Sequence, residues 1–263
     1  MSQDIPILLY HSVSDEPPAD FSPWAVGSGM FGEHLDTLVE LGYEGLTIGQ
    51  LTELTLAGRP VPERAVVVTF DDGFSDFASN AWPPMKARGV PATLYVTAGL
   101  VGGSSEWLEP VGAGGLPILG AVEIGALSDD GVEIGAHSMT HPQLDIVGRG
   151  RAWREIRDSK NALEAIVGRR VETFAYPHGY HDRETKKMVA DAGFTSAAAV
   201  RNALSHAGDD RFALARYTVM ADCTAEHLAG VLDGRHARRA PRRERLRTGV
   251  WREIRRFRAR NGS

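Results

Sequence analysis

Six residues, Ala65 to Phe70, form an unbroken run, Ala-Val-Val-Val-Thr-Phe, that leads directly into Asp71-Asp72-Gly73. With three consecutive valines and no alternation of polar positions, the run reads as a strand covered on both faces, as strands of parallel sheets are. Other apolar runs recur at Ile5 to Tyr10, Ala92 to Val96, Val132 to Ala136, Thr173 to Tyr176 and Thr195 to Ala199. Segments of helical period lie between them. Phe31, Leu35, Leu38 and Val39 fall on one face of a helix that Gly42 closes. Thr47 and Gln50 have the spacing of a capping box ahead of Leu51 and Leu54. Trp153, Ile156, Leu163, Ile166 and Val167 mark a longer helix, and Asp182 to Ala192, closed by Gly193, another. This alternation predicts a parallel α/β fold, and 263 residues suit a single α/β barrel.

The net charge of −5 conceals an asymmetry. From Arg235 to Ser263 twelve Arg stand against Glu244 and Glu253, a net of +10, whereas residues 1–234 carry 17 basic and 32 acidic side chains, a net of −15. An acidic body argues against nucleic-acid binding. The chain therefore divides into a main domain over 1–232 and an Arg-rich tail over 233–263. In the tail, Val250, Trp251, Ile254 and Phe257 share a helical face among Arg252, Arg255, Arg256 and Arg258. Such a helix suits an anionic membrane surface, or equally the acidic barrel of its own or a neighbouring chain. Cys223 is the single cysteine, which excludes an intrachain disulfide and a thiolate zinc cluster and reads as a buried thiol. Met1-Ser2-Gln3-Asp4 lacks the positive start of a secretory signal, and no stretch reaches the roughly 20 apolar residues of a membrane span. The expected location is cytoplasmic, with peripheral contact at the inner face of the membrane as a hypothesis.

In parallel α/β folds functional side chains gather at the carboxyl ends of strands. Asp71 and Asp72 follow the run that ends at Phe70, and His137 and His141 follow the one that ends at Ala136. Asp-Asp-Gly taken alone is a common turn, and His-x-x-x-His taken alone a common solvated or core pair. Together, each at a strand end, they supply two imidazoles and a carboxylate, the ligand set of an open, catalytic divalent metal, with one Asp left free as a base.

At these residues the chain resembles the polysaccharide deacetylases with the NodB homology fold, carbohydrate esterase family 4. Thr69-Phe70-Asp71-Asp72-Gly73 matches the family's first motif, His137-Ser138-Met139-Thr140-His141 its second, and Phe174-Ala175-Tyr176-Pro177-His178-Gly179 a variant of its third. The likeness extends through Leu8-Leu9-Tyr10-His11, Pro91-Ala92-Thr93 and Ala192-Gly193-Phe194, over roughly residues 5 to 232. It implies a distorted (β/α)7 barrel and metal-dependent hydrolysis of an acetamido group on an amino sugar or its polymer. It also implies Asp71 as catalytic base and Asp72, His137 and His141 as ligands of a divalent metal, with Zn2+ first in order and Co2+, Ni2+ or Mn2+ as alternatives. The backbone N–H of His178, beside Tyr176 and Pro177, would face the oxyanion.

The sequence departs from the family pattern in three places. Ala175 stands where the family carries an Arg that holds the catalytic Asp, and Arg216, in Leu214-Ala215-Arg216, is the candidate substitute. A late Leu-x-His motif is missing, whereas Leu9-Tyr10-His11 gives the same pattern on the first strand, which makes His11 the candidate general acid. No Asp-Trp pair that would tune this histidine is identifiable. Trp107, in a Gly-rich excursion that includes Gly102, Gly103, Gly112, Gly114 and Gly115, is a candidate sugar-stacking residue. His181 lies near the third motif, either lining the cleft or in a solvated turn, and His34, His206, His227 and His236 are expected on helix surfaces or loops. Three other readings use the same residues: a non-haem Fe(II) oxygenase, a C–N hydrolase acting on a non-sugar amide, and a carbohydrate-binding module whose catalysis has weakened.

Overall fold

A computed structural model describes residues 3–241, 251 and 253–255. Seven parallel strands form its centre: β1 (Ile7–Tyr10), β2 (Ala65–Phe70), β3 (Thr93–Val96), β4 (Glu133–Ala136), β5 (Thr173–Ala175), β6 (Ser196–Ala198) and β7 (Tyr217–Thr218). Hydrogen-bonded neighbours run β6-β5-β4-β3-β2-β1-β7. The sheet also closes on itself: the Leu214 N–H donates to the Ala197 carbonyl (2.9 Å) and the Ala199 N–H to the Leu214 carbonyl (2.8 Å), so the segment entering β7 pairs with β6. The result is the distorted (β/α)7 barrel that the motifs imply. Around it lie α1 (Ser28–Glu40), α2 (Ile48–Leu56), α3 (Trp82–Ala87), α4 (Ala121–Asp129), α5 (Arg149–Val167), α6 (Arg183–Asp191) and α7 (Ala225–Leu232). None of these helices is long and apolar enough to cross a membrane.

The two faces of β2 explain its unbroken apolar run. Val66, Val68 and Phe70 pack outward in the main core with Leu35, Leu38 and Met85, while Ala65 and Val67 point inward with Tyr95, Ala175 and Ala198. Side chains two residues apart share a face, so Thr69 and Asp71 continue the inward line toward the rim. The same logic on β4 sets Glu133, Gly135 and His137 inside. Glu133 fills the lower interior and accepts from Thr93 Oγ1 (2.9 Å), Thr173 Oγ1 (3.1 Å) and the Gly49 N–H of α2. Above it the Tyr95 ring crosses the space that a side chain at position 135 would need.

Local signals in the sequence reappear in the structure. Thr47 and Gln50 form the capping box of α2, and Asp182 caps α6. Two assignments on helix faces need correction. Val39 is 52% exposed, and the buried stripe of α1 is Phe31, His34, Leu35 and Leu38. His34 belongs inside because both ring nitrogens are satisfied, Nδ1 by the Tyr10 hydroxyl (3.0 Å) and Nε2 by the Cys223 carbonyl (2.7 Å). His206 is also buried, bonded to the Ala240 carbonyl and the Gly208 N–H. Cys223 is a buried free thiol. In the tail, residues 251 and 253–255 are helical. Val250, Arg252, Arg256, Phe257 and Arg258 lie outside the described residues.

A β-carbon at Gly135 would stand 2.4 Å from Tyr95 Cδ1 and 2.8 Å from Thr173 Oγ1. Gly135→Ala should therefore destabilise the fold by about 1–3 kcal/mol through overpacking, read as a lower urea midpoint at unchanged slope. An unchanged midpoint would show that Tyr95 does not need this space.

Candidate active site

Three loops at the carboxyl end of the barrel converge on one point. The Asp71 N–H still continues the strand ladder to the Tyr10 carbonyl (3.0 Å). Asp72 leaves that ladder with φ 75°, and Gly73 follows with φ 83° against Val96, a turn that brings both carboxylates over the barrel mouth. From β4, His137 is held by its own N–H on the Val96 carbonyl (2.9 Å). The loop from Ser138 to His141 is pinned by a residue from α5. Glu155 accepts from the Met139 N–H (2.9 Å), the Thr140 N–H (2.8 Å) and Thr140 Oγ1 (2.7 Å). Ser138 Oγ accepts the His141 N–H (3.0 Å). Among the described residues five non-glycines have positive φ: Asp72, Ser138, His141, His178 and Asn202. The first four lie in the three motif loops, a concentration of costly backbone conformation that the surrounding contacts must enforce.

His137 donates Nδ1–H to the Ala175 carbonyl (2.8 Å), which fixes its tautomer and turns Nε2 toward the carboxylates. That Nε2 stands 3.5 Å from Asp72 Oδ1, and His141 Nε2 stands 3.3 Å from the same oxygen. One ligand atom from each of Asp72, His137 and His141 lies within 4.8 Å of the others, and all three residues are buried. Asp72 Oδ1 is buried and accepts no hydrogen bond from the described residues. A buried carboxylate oxygen without a donor, facing two imidazole nitrogens, fits a divalent cation and little else. Burial pushes the His137 pKa down to about 4, against the pull of Asp71, so its ring is neutral and its Nε2 lone pair free at neutral pH. Burial alone would raise the Asp72 carboxyl, but His141, followed by His11 and His137, holds it well below the ordinary range.

Asp71 has a different partner. Arg216 donates Nη1–H to Oδ1 (2.6 Å) and Nη2–H to Oδ2 (2.7 Å), a two-point grip on both oxygens. Its Nη1 also reaches Thr69 Oγ1 and its Nε the Ala199 carbonyl, each at 3.1 Å. The guanidinium, 0% exposed, lies 5.4 Å from the Tyr95 ring centroid. Burial by itself raises the Asp71 carboxyl, and the nearby Arg216, His137 and His11 outweigh it, leaving the group ionised below its ordinary pKa. The fold thus separates two adjacent carboxylates: one faces the imidazoles and the other is paired with a cation.

The polysaccharide deacetylase family model matches residues 58–197, more than half of the chain. The chain belongs to this family. Over 215 residues it is 24% identical to YxkH of Bacillus subtilis, a protein named for the same family, spanning 82% of this chain and 71% of that one. An 85-residue stretch is 39% identical to the poly-β-1,6-N-acetyl-D-glucosamine N-deacetylase of Escherichia coli K12, covering 32% of this chain and 12% of that protein. Streptococcus pyogenes deacetylase PplD, solved with acetate, superposes with a TM-score of 0.77 over 88% of this chain and 99% of its own at 22% identity. IcaB from Ammonifex degensii gives 0.74 over 88% and 98%, also at 22%. At that identity the likeness to the solved deacetylases is one of fold.

The remaining candidate residues are placed unevenly. His11 follows β1 at the same rim, close enough to act electrostatically on Asp71 and Asp72, with Nδ1 buried and unpartnered among the described residues. His178 reaches the site edge-on to His141, ring centroids 4.6 Å apart, and Pro177, just before it, is buried. Trp107 stacks on the imidazole of His141 at 4.7 Å and on Phe74 at 6.3 Å, so its ring supports His141. Tyr176 does not line the site: it is fully buried, with its hydroxyl on the Phe212 carbonyl (3.0 Å). Its ring is the more apolar part and packs with Phe174, leaving only its backbone near the rim. His181 stacks on Tyr176 and bonds the Gly179 carbonyl (3.1 Å). Glu155 escaped the sequence reading, although an acidic residue inside the apolar stripe of a helix was a usable signal.

Two outcomes check this geometry. Calorimetric titration with Zn2+ should give a single ion per chain, lost in Asp72→Asn and His137→Gln; at about 100 times its dissociation constant the ion should add about 2.7 kcal/mol of stability. Equal binding by Asp72→Asn would place the ion elsewhere. In metal-free protein, the His137 ring stays neutral in the fold between its ordinary 6.5 and about 4, where the unfolded chain takes a proton. Stability should therefore fall as pH drops through that window, and the slope should flatten in His137→Gln. A slope that His137→Gln leaves unchanged would contradict the assignment.

Proposed function

We propose that this chain is a metal-dependent N-deacetylase of acetylated amino sugar residues, with a polymer of N-acetylglucosamine as the substrate class to test first. The observation that carries the reading is the division of labour between the two carboxylates: Arg216 occupies both oxygens of Asp71, while Asp72 Oδ1, with His137 and His141, is left for a cation. The deacetylases named among the relatives and structural neighbours support the substrate class, and the three motif loops support the reaction.

Asp72, His137 and His141 would hold the ion. When bound, a divalent cation polarises the acyl carbonyl and lowers the pKa of a coordinated water toward about 7. The ligand set suits Zn2+, a borderline ion at home with imidazole and carboxylate. Asp71, ionised and fixed by Arg216, accepts a proton from the attacking water. The new C–O bond converts the amide carbonyl to a tetrahedral centre whose oxyanion would take a hydrogen bond from the His178 N–H, in the positive-φ turn after Pro177. Collapse breaks the C–N bond, the amine leaves with a proton from His11, and acetate remains. A backbone donor is indifferent to the side chain at position 178, so a His there is compatible with the chemistry.

Acetate release from β-1,6-linked N-acetylglucosamine oligomers and a panel of other N-acetylated sugars, by zinc-loaded protein, tests the reading. Asp71→Asn should lose at least about a hundredfold in kcat, the scale on which general-base groups contribute, while still binding metal. Arg216→Met removes the charge that holds the Asp71 carboxyl down and leaves burial to push it up. Activity needs the ionised form, so the acid limb of the kcat/KM profile should move to higher pH. No acetate from any member of the panel, with zinc bound, would reject the deacetylase reading. An unmoved limb would show that Asp71 is not the group that titrates.

A further inference from the structure

The basic tail reaches the catalytic rim. The tail leaves the main domain at the opposite end of the barrel, where Arg238–Arg239 pairs with the strand Ala203–His206. That strand in turn pairs with Asp4–Ile5, just ahead of β1. The chain returns at Arg255 on the side of the motif loops. Arg255 donates from Nη1 to Asp145 Oδ1 (3.0 Å) and Gln143 Oε1 (2.8 Å), and from Nη2 to Asp145 Oδ2 (2.5 Å). Its side chain is 9% exposed and that of Asp145 0%. The guanidinium carbon lies 3.6 Å from the centre of the Tyr180 ring, a close cation–π contact.

These contacts join two loops. Gln143 and Asp145 follow His141 on the loop after β4, and Tyr180 follows His178 on the loop after β5. Tyr180 stacks on His178 (6.0 Å between centroids, 29° between planes), and His178 meets His141 edge-on at 4.6 Å. His178 itself holds a left-handed conformation, φ 59°, that a histidine does not favour. A planar cation with five donors in a fixed fork can grip a carboxylate and cover an aromatic face at once, which an ammonium cannot do. The charge asymmetry of the sequence has a counterpart here, with an Arg of the +10 tail seated in an acidic socket of the −15 body.

We propose that Arg255 is a positioning residue for the deacetylase reaction: by tying the loop after β4 to Tyr180 it holds the His178 turn over the active site, which makes the C-terminal segment part of the catalytic rim. The proposal rests on the N-deacetylase reading for its kinetic consequence and on the geometry alone for its structural one.

The test uses full-length protein and the variants Arg255→Ala, Arg255→Lys, Tyr180→Ala and the double variant Arg255→Ala/Tyr180→Ala. Backbone hydrogen exchange at residues 178–181 should rise about tenfold or more in Arg255→Ala, while exchange across β2 stays at the wild-type rate and shows the barrel intact. With zinc-loaded protein and the oligomer substrate, kcat should fall about ten- to a hundredfold, the scale of a misplaced catalytic group, with KM moving less. Arg255→Lys should behave as Arg255→Ala, and the double variant should lose no more than the larger single one. Unchanged exchange at 178–181 in Arg255→Ala overturns the proposal, as do wild-type behaviour in Arg255→Lys or losses that multiply in the double variant. If wild-type protein releases no acetate, the deacetylase reading fails, and the exchange experiment still decides the positioning role.

Discussion

A guanidinium sealed from solvent, Arg216, grips both oxygens of a sealed carboxylate, Asp71, and the rest of the site is arranged around that pair. Removing one partner of such a pair leaves a buried charge uncompensated, at a cost of about 3–5 kcal/mol. The barrel is built to support it. Tyr95 lies beneath the guanidinium, Gly135 leaves room for Tyr95, and Thr69 and the Ala199 carbonyl take two of the donors that Asp71 does not. The pairing assigns chemistry as well. Asp71 and Asp72 are neighbours in sequence, yet one is satisfied by a fixed cation and the other keeps an oxygen with no donor. A reaction that needs a base and a metal ligand side by side can draw both from one dipeptide on those terms.

The strand ends supply the functional groups, and the helices behind them set their aim. Glu155 of α5 takes two backbone N–H groups and a hydroxyl from the loop that carries His141, which holds that loop in its positive-φ course. Trp107 and His178 pack on the His141 ring from separate loops. His141 Nδ1 is buried without a hydrogen-bond partner among the described residues, so ring packing fixes the orientation that a second hydrogen bond fixes for His137.

Much of this was legible in the residues. The run from Ala65 to Phe70 announced a strand covered on both faces, and the period-two rule carries that inward line on to Asp71. Thr47 with Gln50 announced its capping box because the signal is local. Arg216 could be nominated because a missing cation at Ala175 demanded a substitute from another strand. Other features depend on contacts between distant segments. His34 looks like a surface residue until Tyr10 and Cys223, from other elements, satisfy its two nitrogens. Tyr176 sits inside the third motif, yet its side chain follows the core because the Phe212 carbonyl waits there for its hydroxyl. The seat of Arg255 joins residues more than a hundred positions apart, which no periodicity within the tail encodes.

Which of the two carboxylates binds the ion decides the chemistry of the site, and anomalous diffraction from zinc-loaded crystals reads that directly. One anomalous peak is expected, enclosed by Asp72, His137 and His141, with Asp71 still held by Arg216 and outside the coordination sphere. A peak ligated by Asp71, with the Arg216 contact broken, would contradict that assignment.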